Sequence, residues 1–86
     1  MQRLSALGLA IKQARIEREL SQEKLAELAK LHRNFIGLIE RGQTQPAMGS
    51  LFSIADALDM PASDLLRNVE ILVAATKDLD MSQDGK

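Results

Sequence analysis

The 86-residue sequence contains no cysteine, no tryptophan and no tyrosine. The absence of cysteine excludes disulfide bonds, thiolate zinc sites and cysteine nucleophiles. A single histidine, His32, is too few for a histidine-rich metal site. No apolar run reaches the roughly 18 residues that would indicate a membrane span. With Phe35 and Phe52 as its only aromatic residues, the chain also lacks the stacking surfaces that bind single-stranded nucleic acid.

The remaining composition is that of one small folded domain. A hydrophobic content of 45% and a charged content of 27% are typical of a globular protein, and the length suits a single domain with a modest core. Charge is divided along the chain. Residues 1–46 contain eight Lys or Arg and five Asp or Glu, a net charge of +3, whereas residues 47–86 contain three and seven, a net charge of −4. A basic half favours an anionic partner, although chance segregation would give the same division.

Apolar residues recur at helical spacing through most of the chain. The pattern predicts helices over residues 6–18, 22–29, 33–41 and about 48–58, and a fifth helix from Pro61 onward. Ser5 and Ser21 are the predicted N-caps of the first two helices, because a serine hydroxyl can accept a hydrogen bond from the first turn. Gly42 is predicted to end the third helix. Residues 77–86 are charged and small, and predict a disordered tail behind a folded domain of residues 1–76.

The fifth helix has two interpretations. Residues 71–75 are apolar on all sides, which favours burial on more than one helix face and contact with a second subunit. The residues predicted to form this dimer interface are Leu65, Val69, Leu72 and Val73. The alternation of Val69, Ile71 and Val73 also fits a strand, and the sequence leaves both possibilities open.

The second and third predicted helices form a helix-turn-helix arrangement, because both are short and a three-residue turn joins them. The third helix places Ile36 and Ile39 on one side. Its other side carries Asn34, Gly37, Leu38 and Arg41, with Arg33 lying between the two. The major groove of a DNA duplex is about 12 Å wide and admits one helix. A helix with one apolar face and one polar face suits that groove if the other helices hold its apolar face.

Short motifs surround the predicted turn. They are Leu20 to Ala26, Leu31 to Ile36, Ile39 to Gly42, Pro46, and Ile54 to Leu58 before Met60 and Pro61. Taken together, these motifs resemble the Xre/Cro-type repressors over about residues 7–67. The resemblance implies an all-α, compact five-helix domain like that of lambda repressor. It also implies a sequence-specific transcriptional regulator that binds double-stranded DNA as a homodimer on a pseudo-palindromic operator.

The resemblance implies a role for each matched position. Arg33, Asn34 and Leu38 match base-reading positions, and their side chains suit guanine, adenine and the thymine methyl group. The positions implied to contact the DNA backbone are Gln22, Phe35, Arg41, Gln43, Thr44 and Gln45. Arg15 and Glu40 match a buried ion pair that ties the first helix to the third. Taken alone, Arg33 and Asn34 would equally suit solvated helix positions, and Leu38 a scattered surface leucine.

The sequence departs from the family pattern at several positions. Lys30 stands where a turn glycine is common, and His32 stands where a serine or threonine N-cap is usual. Gly37 lies within the third helix, and Ala47 stands at the N-cap of the fourth. The loop of residues 43–45 carries no charge. These departures predict modest non-specific binding, with two half-sites needed for affinity.

Enzymatic activity is not expected, because no nucleophile, base and orienting group converge on one predicted site. We predict a cytoplasmic protein without a metal, a cofactor or a membrane segment. The main alternative is a protein-interaction module of the same fold, such as an antitoxin or an antirepressor-like protein. The acidic half and residues 71–75 favour a protein partner, whereas Arg33 and Asn34 favour DNA, and the two roles can coexist.

Overall fold

Five helices account for most of the chain in the computed structural model, which describes residues 1–84 and the side chains of residues 1–77. The helices are α1 (Arg3–Glu17), α2 (Gln22–Ala29), α3 (Arg33–Glu40), α4 (Met48–Ala57) and α5 (Ala62–Asp84). No strand occurs among the described residues. The predicted all-α fold is therefore confirmed, and the strand considered for residues 69–73 is wrong because these residues lie within α5.

The helix α5 continues to Asp84, beyond the domain boundary that the sequence places at residue 76. The side chains from residue 78 onward, and residues 85 and 86 altogether, lie outside the described part of the chain. The tail predicted for residues 77–86 therefore stays a prediction.

A serine side chain caps α2 but not α1. Ser21 caps α2 as predicted, because its hydroxyl accepts a hydrogen bond from the Lys24 amide at 2.9 Å. The prediction that Ser5 caps α1 is wrong, since the helix begins at Arg3 after Gln2, which makes no side-chain cap. Ser5 instead lies on the exposed side of α1, beside Gly42. Its hydroxyl lies 3.0 Å from the point that a Cβ atom on Gly42 would occupy.

Several connections turn through the left-handed backbone region. The positive φ angles are 57° at Glu19, 59° at Lys30, 71° at Gly42 and 55° at Asp59. Glycine adopts this region freely, which supports the prediction that Gly42 ends α3. A residue with a Cβ atom pays about 1–2 kcal/mol there. Both ends of α3 and α4, and the start of α5, lie within one residue of the predicted positions.

The core is formed by one apolar face from each helix. Its buried side chains include Ile11 of α1, Leu25 of α2, Ile36 and Ile39 of α3, Leu51 and Ile54 of α4, and Leu65 and Val69 of α5. The helix α3 packs against α1 and α2, whereas α5 packs mainly against α1. This arrangement holds the inner face of α3 on two sides and leaves its outer face open to solvent.

Candidate nucleic-acid interface

The turn between α2 and α3 is held by backbone hydrogen bonds and by the core. Lys30 takes the left-handed conformation, with φ 59° and ψ 42°, and the Leu31 amide donates to the Ala26 carbonyl at 2.9 Å. Leu25 and Ile36 are both fully buried beneath the turn. His32 occupies the N-cap of α3, but its side chain makes no capping hydrogen bond. The geometry of the turn therefore depends on packing more than on capping.

A partly buried ion pair fixes α3 against α1, as the resemblance implies. Arg15 Nε lies 2.7 Å from Glu40 Oε2, and Arg15 Nη2 lies 3.0 Å from Glu40 Oε1. The two side chains are 11% and 3% exposed. Arg15 Nη1 also donates to the Leu20 carbonyl at 2.9 Å. One guanidinium thus connects the end of α1, the chain before α2, and the last residue of α3.

Gln22 joins the same network from the start of α2. Its Nε2 atom donates to Glu40 Oε1 at 3.0 Å. The side chain therefore helps to satisfy the Glu40 carboxylate, a role that the sequence analysis did not predict. An amide nitrogen carries two hydrogens, so one N–H remains for the phosphate contact that the resemblance implies.

The outer face of α3 contains the residues predicted to read bases. Arg33 and Asn34 are exposed, and Leu38 is 36% exposed, while Ile36 and Ile39 on the inner face are fully buried. A recess of about 360 Å³ opens on this face, and we call it the α3 recess. Its lining residues are Gln22, Arg33, Asn34, Gly37, Leu38 and Arg41. The structure thus brings together all three predicted base readers and two of the predicted backbone contacts.

The other predicted backbone contacts lie outside the α3 recess. Phe35 is half-buried and packs against the core, so its ring has a structural role. Thr44 is half-buried, whereas Gln43 and Gln45 are exposed in the loop before α4. Gln43 Oε1 accepts a hydrogen bond from Arg41 Nε at 3.2 Å, which connects this loop to the end of α3.

The predicted dimer residues of α5 are mostly covered by their own chain, and their contact with a second copy stays a prediction. Leu65 and Val69 are 0% and 5% exposed because they pack into the core. Leu72 and Val73 are partly buried against the same core. Among the α5 side chains that the structure describes, the large exposed apolar ones are Leu66, at 40%, and Ile71, at 57%.

Sequence reasoning missed the role of Gly8. A Cβ atom on this residue would lie 2.3 Å from the Ile39 carbonyl oxygen and 2.6 Å from the Glu40 carbonyl oxygen. Only a glycine therefore lets α1 approach the backbone of α3 this closely. No spacing rule signals such a contact, because the missing side chain leaves no periodic pattern.

Other kinds of site find no support in the described residues. No group of three or more His, Cys, Asp or Glu side chains within them could hold a metal ion. No helix among them is both long enough and apolar enough to cross a membrane.

Comparison with known proteins adds a family match. The helix-turn-helix family model matches residues 11–65, which is more than half of the chain and contains α2, α3 and α4. The matched segment includes every lining residue of the α3 recess.

Two curated relatives are similar over part of their length. The chain is 38% identical over 60 residues to the immunity repressor protein of Bacillus phage phi105, covering 70% of this chain. It is 43% identical over 47 residues to the control protein C.SmaI of Serratia marcescens, covering 55% of this chain. The alignments cover 42% and 56% of the two relatives, so the chain spans about half their length.

A solved structure has the same arrangement of helices. It is the restriction-modification controller protein C.AhdI from Aeromonas hydrophila, with a TM-score of 0.71 and 35% sequence identity. The match covers 72% of this chain and 94% of that protein.

Proposed function

Because the chain belongs to the Xre/Cro-like helix-turn-helix family of DNA-binding regulators, we propose that it binds double-stranded DNA sequence-specifically and regulates transcription as a homodimer. It would act in the cytoplasm, on a pseudo-palindromic operator. Two copies of α3 would enter successive major grooves, about 34 Å apart. The observation that carries this proposal is the α3 recess, in which exposed Arg33, Asn34 and Leu38 share one face of a rigidly held helix.

The chemistry of the recess suits base edges better than it suits a small molecule. Arginine can donate two hydrogen bonds to guanine O6 and N7, asparagine can pair with adenine N6 and N7, and leucine can contact a thymine methyl group. The recess opens to solvent, and both α2 and α3 contribute residues to its lining. An open face of this kind can contact the edges of base pairs in a DNA groove.

The charge around the recess also favours DNA. Arg33 and Arg41 are exposed there, while the Glu40 carboxylate is turned inward and neutralised by Arg15. The N-terminus of α3 adds a partial positive charge and free N–H groups that suit a phosphate.

A double variant tests the reading role of the recess. Arg33→Ala with Asn34→Ala removes two hydrogen-bonding side chains, each worth about 1–3 kcal/mol of base discrimination, so affinity for a selected duplex should fall at least about 30-fold. Lys12→Ala is the control, because it removes a positive charge from an exposed position on α1, outside both the α3 recess and α5. Thermal melting should be unchanged in both variants. Unchanged DNA affinity in the double variant would contradict the proposal.

The homodimer needs an apolar surface that the single chain leaves open. Leu66 of α5 supplies one such surface, and Met48 and Phe52 supply another on α4. We assign the interface to α5, because Leu66 there adjoins a mainly apolar pocket of about 240 Å³ that Leu4 and Leu7 also line.

Sedimentation of two charged variants tests this interface. Leu66→Asp should be monomeric and Phe52→Asp should remain a dimer, since the two side chains are 40% and 52% exposed and neither change should unfold the chain. The opposite pattern would move the interface to α4. A wild-type protein that is monomeric at concentrations sufficient for DNA binding would contradict the homodimer.

A second candidate function is the binding of another protein. Met48 and Phe52 are 59% and 52% exposed, and they lie one turn apart on α4 with the acidic Asp56 one turn further. An apolar pair of this kind can anchor a partner helix. If Phe52→Asp leaves both the dimer and DNA binding intact but changes regulation in cells, a protein partner on α4 is supported.

A further inference from the structure

Arg41 does not extend away from α3 but folds back over Gly37. A Cβ atom on Gly37 would lie 3.1 Å from Arg41 Nη1, 3.7 Å from Nη2 and 3.8 Å from the central guanidinium carbon. The side chain starts at the C-cap of α3 and returns toward the middle of the helix. It therefore covers the backbone of Gly37, which explains why this glycine is buried on an otherwise open face.

This conformation brings the guanidinium toward the base-reading residues. Asn34 and Arg41 are seven residues apart, which corresponds to about 10 Å along a helix axis. At that distance a side chain near the C-terminal end would ordinarily reach only the DNA backbone, because the N-terminal part of the helix contacts bases. Folding back by one turn recovers about 5 Å of this distance. Arg41 consequently lines the α3 recess together with Arg33, Asn34 and Leu38.

The loop after α3 orients the guanidinium. Gln43 Oε1 accepts a hydrogen bond from Arg41 Nε at 3.2 Å. Within the part of the chain that the structure describes, Nη1 and Nη2 donate to no protein acceptor. The end of the guanidinium with two parallel donors is therefore free to pair with two acceptors. Guanine presents such a pair, O6 and N7, in the major groove.

We propose that Arg41 is a base-reading residue that selects guanine, and that Gly37 and Gln43 are its positioning residues. Gly37 leaves room for the guanidinium, and Gln43 binds Nε so that Nη1 and Nη2 face the groove. This assignment rests on the proposed function. It differs from the resemblance, which implies that Arg41 and Gln43 contact the DNA backbone. It adds one specified base to each half-site, beyond those read by Arg33 and Asn34.

Selection of DNA from a random duplex pool tests this assignment when it is repeated with variants. Arg41→Gln should yield the wild-type motif with the guanine preference lost at one position in each half-site. Affinity for the wild-type site should fall roughly 5- to 150-fold, and substitution of that guanine should no longer matter. Loss of a phosphate contact gives a different result. Binding then weakens equally on all sequences, and the slope of log affinity against log salt concentration decreases by about one in magnitude.

Two glycine variants separate positioning from general damage to the helix. Gly37→Ala should weaken the guanine preference at the same single position of the motif, because its methyl group would displace Arg41 Nη1. Gly49→Ala is the matched control, since the space beside that α4 glycine is open, and it should leave the motif unchanged. Gln43→Ala should weaken the preference at the same position and at no other. Circular dichroism melting should show that each variant is folded.

The possible failures are distinguishable. An unchanged motif for Arg41→Gln, with uniformly weaker binding, would overturn the assignment and leave the proposed function in place. Relaxation of a different position by Gly37→Ala would also overturn it. If the folded wild-type protein selects no motif, both the proposed function and this assignment are overturned.

Discussion

The Arg15–Glu40 pair offers a prediction about stability that can be worked out in detail. Glu40→Gln keeps the shape of the side chain but removes its charge. The carboxylate accepts hydrogen bonds from Arg15 Nε, Arg15 Nη2 and Gln22 Nε2, at 2.7, 3.0 and 3.0 Å. An amide in its place directs an N–H group at one of these donors. The guanidinium, in a side chain that is 11% exposed, would then lack a counter-charge.

The expected loss is large for a chain of this size. Removing one partner of a buried ion pair costs about 3–5 kcal/mol, and the small remaining exposure of Arg15 places this pair at about 3 kcal/mol. An 86-residue domain has a total stability of roughly 4–13 kcal/mol at about 0.05–0.15 kcal/mol per residue. The variant should therefore lose a quarter or more of its stability and be close to unfolding if the wild type lies at the lower end.

Urea denaturation measures this loss, with far-UV circular dichroism as the signal because the chain has no tryptophan. At a slope of about 1–3 kcal/mol per molar urea, the midpoint should fall by at least about 1 M with an unchanged slope. Glu27→Gln is the matched control, since its 3.1 Å pair with Lys24 is 69% and 53% exposed and should change stability by less than about 1 kcal/mol. Equal midpoints for Glu40→Gln and the wild type would refute the reasoning.

Three further substitutions test local features of the backbone. Gly8→Ala should destabilise the chain by at least about 1–3 kcal/mol, because its Cβ atom would lie 2.3 Å from the Ile39 carbonyl oxygen. The control Gly49→Ala should be neutral or slightly stabilising, since the space beside Gly49 is open. Lys30→Gly should raise stability by up to about 1 kcal/mol, since φ is 59° there, and a lower urea midpoint would contradict this. His32→Ser should add about 1 kcal/mol by capping α3, as Ser21 caps α2, and an unchanged melting temperature would show that the cap does not form.

Burial was predictable from the sequence, but the identity of the burying partner was not. The spacing of Leu65 and Val69 correctly indicates an apolar face on α5. A periodic apolar pattern predicts that a side chain is buried, but it does not predict whether the same chain or a second copy buries it. Here the core of the single chain covers most of these two side chains, and the dimer contact at Leu65 and Val69 stays a prediction.

Local capping rules worked where no tertiary contact competed with them. Ser21 lies on an exposed helix start and caps α2 as expected. Ser5 has the same side chain, but it lies beside Gly42 of another part of the chain, and α1 extends past it to Arg3. A cap contributes only about 1 kcal/mol, so other contacts of the first turn can outweigh it.

In the candidate site, too, the sequence predicts some features and not others. Helical periodicity and the resemblance place Arg33, Asn34 and Leu38 on the outer face of α3, where the structure has them. The sequence does not predict the conformation of Arg41, because it arises from a space over Gly37 and an acceptor on Gln43 that only the folded backbone brings together. Side-chain direction within one face depends on such contacts more than on residue spacing.

Selection from a random duplex pool by the wild-type protein, at physiological salt, tests the central claim most directly. Labelled DNA gives the signal, because a chain without tryptophan or tyrosine absorbs little ultraviolet light. We expect a two-fold symmetric motif whose half-sites are about 10 base pairs apart, as two copies of α3 in successive major grooves require. A folded protein that enriches no motif would contradict the claim that the α3 recess reads DNA.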